Sequence, residues 1–289
     1  MTESESTGMS GTAGETKSRS GRARVGRTVF AREIKTVLRT RAYLALGFVY
    51  AAVVVAVAWF SGSVESGYLP TAASLSTASE LVVPVVAFAL GYRVVLNDRA
   101  TGELEVLKTY GIGRAEYVLG VYAGRLVALA VVLTVPLVVV GALSWFYAGP
   151  HTTVLAWHGG ADSEIILVRF AVLTVLFGAS ILALAVAVSA VSDSVRSALA
   201  VVVVVWLALA LGADMGMISG LVTGRVDDTT LVWLTSLSPN TAYRGLVMET
   251  VVGVAVGDVR ATSAVVSAVS LVVWTVVPLA VAVAAVWRN

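Results

Sequence analysis

Few side chains in this 289-residue chain are of a type that does chemistry, and their spacing narrows the options further. The chain has no cysteine, which removes disulfides, thiolate metal sites and cysteine nucleophiles together. Imidazole and thioether suit copper, which makes His151, His158, Met215 and Met217 weak candidates for a soft-metal site. The two histidines stand seven residues apart with no third ligand near them in sequence, and a Met pair in an apolar run more often packs than binds. No metal is therefore expected. A phosphate-binding loop needs G-x-x-x-x-G-K-[ST], whose backbone amides and lysine cradle the phosphates. The lysines are Lys17, Lys35 and Lys108, and none follows a glycine. No nucleotide or other cofactor site is expected on this chain.

The densest polar stretch runs from Asn97 to Tyr117. Thr101 can cap a short helix with Glu103 and Glu105 in its first turn and Lys108 in its last, an order that suits the helix macrodipole. Gly111 can end that helix, and Arg114 restarts one. Leu104 and Leu107 then make a small apolar knob between charges. Such a helix could dock a soluble partner, or it is an ordinary capped loop helix. The residues alone leave both open.

These polar stretches are positioned by six long apolar segments: Ala42–Phe60, Ser79–Leu96, Tyr117–Tyr147, Ile165–Val191, Ala198–Ser219 and Ala264–Val286. About 20 apolar residues of helix span a bilayer core. Composition agrees, with 58% hydrophobic and 13% charged residues, against roughly 25% charged for a soluble globule. The expected fold is all-α, an integral membrane protein of six transmembrane helices. Basic residues fall on one side. The tail through Arg41 holds nine, and the stretch after the second segment holds Arg99, Lys108 and Arg114; stretches 61–78 and 148–164 hold none. The positive-inside bias puts both termini in the cytosol of a multi-pass plasma-membrane protein. The net charge of +2 gives no sign of nucleic-acid binding; the basic residues sit where anionic lipid and topology explain them. Residues 1–27 read as a disordered tail and 28–41 as an amphipathic helix on the inner leaflet, with Phe30, Ile34, Val37 and Leu38 on one face. Residues 42–289 read as one membrane domain.

The centres of the segments hold no Asp, Glu, Lys, Arg or His, and Asp214 is the deepest acid expected. Ion-coupled carriers usually need an ionisable group at mid-membrane, and no span shows an acid–base pair for hydrolysis. Energy is expected from elsewhere. On the outer side, Ser238 can cap a helix with Pro239 at its first position. Tyr243, Leu246, Val247, Thr250 and Val251 continue at helical spacing, which predicts an amphipathic helix lying on the membrane or dipping into it.

The stretch Asn97–Tyr117 resembles the first cytosolic loop of ABC-2-type ABC transporter permeases, through Asp98, Gly102, Leu104, Leu107, Ile112, Arg114, Glu116, Leu119 and Gly120. It departs with Gly111 where proline is common, Gly113 where serine is common and Val121 where lysine is common. Within that family the chain is similar to NosY-like permeases, which are linked to maturation of copper enzymes such as nitrous oxide reductase. Tyr68–Tyr92 and Leu237–Arg244 carry that likeness. The resemblance implies a non-enzymatic subunit that pairs with a second copy of itself, each copy bound by a separate ATPase that carries ATP and Mg. It implies that Glu103, Leu104, Glu105, Leu107, Lys108 and Arg114 touch the ATPase, with Asp193 and Arg196 in a second, smaller contact. An outer-face accessory protein would fit the same scheme. The rivals are a non-transporting scaffold for metalloenzyme assembly and an ATP-independent secondary carrier.

Overall fold

The computed structural model describes residues 41–147, 163–222, 238–253 and 263–287. The elements, in chain order, are α1 (Arg41–Phe60), α2 (Ser63–Ser66), α3 (Tyr68–Gly91), α4 (Val94–Ala100), α5 (Glu103–Thr109), α6 (Arg114–Tyr147), α7 (Glu164–Val191), α8 (Val195–Val222), α9 (Pro239–Val247), a π-helical turn (Met248–Val252) and α10 (Ala264–Ala285). No strand occurs among the described residues. Runs of Val, Ala and Leu make the long helices, and helix is the one local structure that satisfies every backbone group within its own segment in hydrocarbon. Among the described residues, five stretches are long and apolar enough to cross a membrane: Tyr43–Phe60, Tyr68–Ala100, Arg114–Tyr147, Glu164–Val191 and Ala264–Ala285. The remaining expected span, Ala198–Ser219, falls on α8, a helix of 28 residues whose Val195–Ala210 portion is apolar.

The second segment begins 11 residues earlier than its hydropathy indicates, at Tyr68 instead of Ser79. Its early turns carry hydroxyls, which read as loop. In the helix three of them find internal acceptors. Thr71 Oγ1 donates to the Gly67 carbonyl at 2.7 Å, Ser74 Oγ to Thr71 at 3.0 Å and Ser76 Oγ to Ala73 at 2.8 Å. Thr71 also meets Ser144 of α6 at 3.2 Å. The outer stretch 61–78 thus shrinks to a turn around α2.

The core is built on α7, which packs against α3, α6 and α10. Phe177, Ile181, Leu182 and Val186 are fully buried there, and so is the small-residue stripe Ala179, Ala183 and Ala187. At the α3–α7 crossing a Cβ on Gly91 would lie 2.6 Å from the Ala185 Cβ, so glycine sets the approach. Pro84, Pro136 and Pro278 sit inside α3, α6 and α10, and all three helices run on through them. Outward faces remain apolar, as with Val131, Val135 and Val138 on α6 or Val265, Val269, Val272 and Val276 on α10, each more than half exposed. Lipid is the solvent such faces suit.

The expected surface helix at 28–41 lies outside the described residues save for Arg41, which opens α1. The helix expected after Ser238 forms from Pro239 and, of the two placements left open, it inserts among the other helices. Pro239–Ala242, Tyr243 and Gly245–Val247 are buried, and α9 packs against α10, α7 and α3.

Candidate functional site

One end of the bundle gathers α4, α5, the α7–α8 turn and the end of α10. Local sequence explains the shape. Gly102 adopts φ 74° at the start of α5, a left-handed conformation that favours glycine. That turn points Thr101 backward: its hydroxyl donates to the Asn97 carbonyl at 3.0 Å and closes α4 instead of capping α5. Glu103 and Glu105 lie in the first turn of α5 and Lys108 in its last, with Lys108 Nζ 2.7 Å from Glu105 Oε1. Gly111, at φ 70°, ends the helix as its spacing predicts. Its N–H donates to Lys108 and the Ile112 N–H to Leu107, a Schellman closure. Glu116 then turns back to accept the Gly113 N–H at 3.2 Å, which starts α6.

The apolar knob is not where its sequence suggests. Leu104 is 3% exposed and Leu107 is partly buried against the core, so both face the bundle. The face turned outward carries Val106 and Tyr110, 55% and 77% exposed, four residues apart and flanked by Glu103 and Glu105. Helical period decides this: Leu104 and Leu107 share one side, and the adjoining apolar core claims it. Arg114 is exposed and lies over the Trp287 ring, 5.3 Å from its centroid.

The adjacent residues Asp98 and Arg99 tie this end together. Asp98 Oδ2 accepts the Tyr117 hydroxyl of α6 at 2.7 Å. The Arg99 guanidinium donates to the carbonyls of Ala190 (3.2 Å), Ser192 (3.3 Å) and Val286 (3.5 Å). A cation among the terminal carbonyls of two helices is favourable. Ser189 Oγ of α7 accepts the Val95 N–H at 3.0 Å and the Leu96 N–H at 3.3 Å at the start of α4. The turn bearing exposed Asp193 and Arg196 is thereby held beside α4, on the same end as α5. Both segments singled out in the sequence therefore share one face of the bundle, and Arg99, which joins them, was not singled out.

A second polar assembly lies within the bundle, where the sequence suggested none. Glu80, 6% exposed, sits well inside α3. Arg244 of α9 binds both its oxygens: Nε to Oε1 at 2.9 Å and Oε2 at 3.1 Å, Nη2 to Oε2 at 2.6 Å. Beside it Tyr243 stacks on Phe177, centroids 4.7 Å apart, and its hydroxyl meets Thr174 Oγ1 at 3.0 Å. Arg125 is also buried in α6, over the Tyr43 ring. The belief that the spans carry no charge at depth is thus corrected. It rested on starting the second span at Ser79, which placed Glu80 at an edge. The available signal was an acid four residues before an in-helix proline, with an arginine in a helix opened by Pro239.

Between α6 and α7 runs an apolar groove of about 730 Å³, lined by Thr134, Val138, Gly141, Trp145, Leu167 and Val172 among others. His151 and His158 lie outside the described residues. Met215 and Met217 belong to α8, but their side chains fall outside what is described. Among the described residues no three His, Asp or Glu side chains are grouped as metal ligands.

Comparison with known proteins then gives a family. The sequences described as ABC-2 family transporter protein match residues 27–288. A protein named "Probable ABC transporter permease protein NosY" from Stutzerimonas stutzeri is 29% identical over 223 residues, 74% of this chain and 77% of its own length. One of the same name from Pseudomonas aeruginosa is 28% identical over 227 residues, 75% of this chain and 79% of its own.

Proposed function

We propose, for a chain that belongs to the ABC-2 transporter family, that the α4–α5 end is the face on which a separate ATPase subunit docks. The protein is a multi-pass membrane subunit of the ABC transporter type. In this reading it has six spans, with α8 as the fifth in chain order, and both termini in the cytosol of a plasma-membrane protein. Two copies pair, each over one ATPase that holds ATP and Mg. The single observation that carries the reading is the construction at Asp98 and Arg99. A motion imposed on α5 reaches α6 through Tyr117, and α7 and α10 through three carbonyls, within one turn of helix. Contact falls on Val106 and Tyr110 with Glu103, Glu105, Lys108 and Arg114 around them, and on Asp193 and Arg196 in the neighbouring turn. Leu104 and Leu107 support that surface from beneath.

The likeness to NosY permeases supports service to copper-enzyme (nitrous oxide reductase) maturation, with an outer-face accessory protein as a further partner. The cognate ATPase, co-expressed and extracted with this chain in detergent, tests the docking face. Val106→Asp with Tyr110→Asp should leave membrane insertion unchanged and remove the ATPase from the purified complex. Normal co-purification of that double variant would refute the assignment.

A further inference from the structure

The helix-packed interior is apolar around the Glu80–Arg244 pair, yet the pair does not stand by itself. Tyr50 of α1 and Ser79 of α3 adjoin each other there, and Ser79 also adjoins Tyr243 of α9. Asn240 lies one turn before Arg244 on α9. Tyr50, Ser79 and Asn240 are 1%, 1% and 6% exposed; the Tyr50 and Tyr243 hydroxyls approach Ser79 Oγ but form no well-shaped hydrogen bond with it, and Asn240 Oδ1 has no hydrogen-bond partner. Pro84, four residues after Glu80, has no N–H to give the Glu80 carbonyl, which adds a backbone acceptor at the same level.

An ionic latch between α3 and α9 would account for Glu80 and Arg244. It would not account for the poorly satisfied polar groups on three different helices beside them. Each has surrendered its bonds to water without a well-shaped bond in return, which native interiors avoid unless something polar enters. Depth adds to this. Tyr50 lies nine residues from Arg41 and ten from Phe60, the middle of a helix of spanning length. Ionisable groups at that depth mark substrate paths by default. The lining offers hydroxyls, an amide and a charge pair whose sum is neutral. That set matches a small hydrogen-bonding solute, neutral or zwitterionic, and gives no purchase to an acyl chain.

We propose that Tyr50, Ser79, Glu80, Asn240, Tyr243 and Arg244 form a hydrated mid-membrane binding site for a small polar solute. The proposal rests on the permease reading for its purpose, and it can fail separately. The chain has no cysteine of its own, so single cysteines can be placed without other changes. Ser79→Cys is nearly isosteric; Asn240→Cys probes the α9 side; Val83→Cys, one turn from Ser79 and fully buried, is the dry control. Each variant, reconstituted with the ATPase in proteoliposomes, is treated with the hydrophilic reagent methanethiosulfonate ethylammonium and with the apolar N-ethylmaleimide. The cysteine thiolate attacks the methanethiosulfonate sulfur and expels methanesulfinate, and ionising the thiol needs water, so Ser79→Cys and Asn240→Cys should react on the order of tenfold faster than Val83→Cys in the nucleotide-free or the ATP-bound complex. Rates as slow as the control in both states would reduce the cluster to a dry structural pair. Reaction with N-ethylmaleimide but not with the hydrophilic reagent would overturn the polar solute as well. ATP hydrolysis measured on the same vesicles separates the two readings. Unreactive cysteines in a hydrolysing complex sink the site alone, and reactive ones without ATPase association sink the permease reading alone.

Discussion

Arg244 reaches Glu80 with two nitrogens, and Glu80 is 7% exposed at its side chain while Arg244 is 44% exposed. The two therefore bear unequal risk. Arg244→Ala strands a buried carboxylate, for which loss of one partner costs about 3–5 kcal/mol. Glu80→Gln leaves a hydrogen-bonding side chain facing the arginine, and should cost less. Thermal unfolding in detergent should rank wild type above Glu80→Gln and Glu80→Gln above Arg244→Ala; equal melting of all three would mean the pair contributes nothing to stability. This pair was not legible in the sequence, because ion pairing between residues 164 apart leaves no local pattern. Other residue-scale features were legible. Gly111 is an αL terminator because a polar helix followed by glycine has few other readings, and Pro239 opens α9 because its missing N–H is needed least there. Ser238 shows the limit: it occupies the N-cap position, but its hydroxyl makes no capping bond.

Among the elements, α5 and the α3–α7 crossing make separable predictions. Leu104 belongs to the core, so Leu104→Asp should destabilise the bundle by about 3 kcal/mol or more, through lost burial and a buried charge. A lowered melting temperature before any ATPase is added would register it; an unshifted one would put Leu104 on the outer surface after all. Gly91→Val drives methyls against Ala185 and Leu182, where even a Cβ would sit 2.6 Å and 3.1 Å away. Overpacking of that kind costs roughly 1–3 kcal/mol, and reduced yield of folded protein by size-exclusion chromatography should report it. Element existence was well marked by hydropathy. The segments read as Ala42–Phe60, Tyr117–Tyr147, Ile165–Val191 and Ala264–Val286 appear as helices within three residues of those bounds. The errors were in facing. Which side of α5 is wet depends on neighbours far away in sequence, and so does the choice, left open by the sequence, between a floating and an inserted α9. The hydroxyl-rich start of α3 was misread for a related reason, since serine and threonine in a helix can satisfy themselves on the preceding turn.

For the whole molecule, orientation and energy source are the open choices, and both can be measured. Ser66→Cys in the α2 turn should react with an impermeant thiol reagent on intact cells, and Thr109→Cys at the end of α5 should not; the reverse would invert the protein and remove α5 from the ATPase. The energy question has sharpened, because a buried carboxylate is the feature a gradient-driven carrier requires. In this structure both Glu80 oxygens are held by one guanidinium. A carrier site must expose its acid alternately to the two sides, whereas this one is clamped between α3 and α9 while the connected elements Asp98, Arg99 and Ser189 gather at the far end. That division suits work delivered at α5 and a polar site acted upon at a distance. Under the proposed function, maturation of the dependent enzyme in cells is the readout. It should be lost when the phosphate-loop lysine of the partner ATPase is replaced. It should survive Glu80→Gln at a reduced rate, and in sealed vesicles holding both subunits the ATP-driven step should be indifferent to a protonophore. Full loss with Glu80→Gln, together with collapse by the protonophore and no need for the ATPase, would transfer the chain to the carrier class and make Glu80 its proton site.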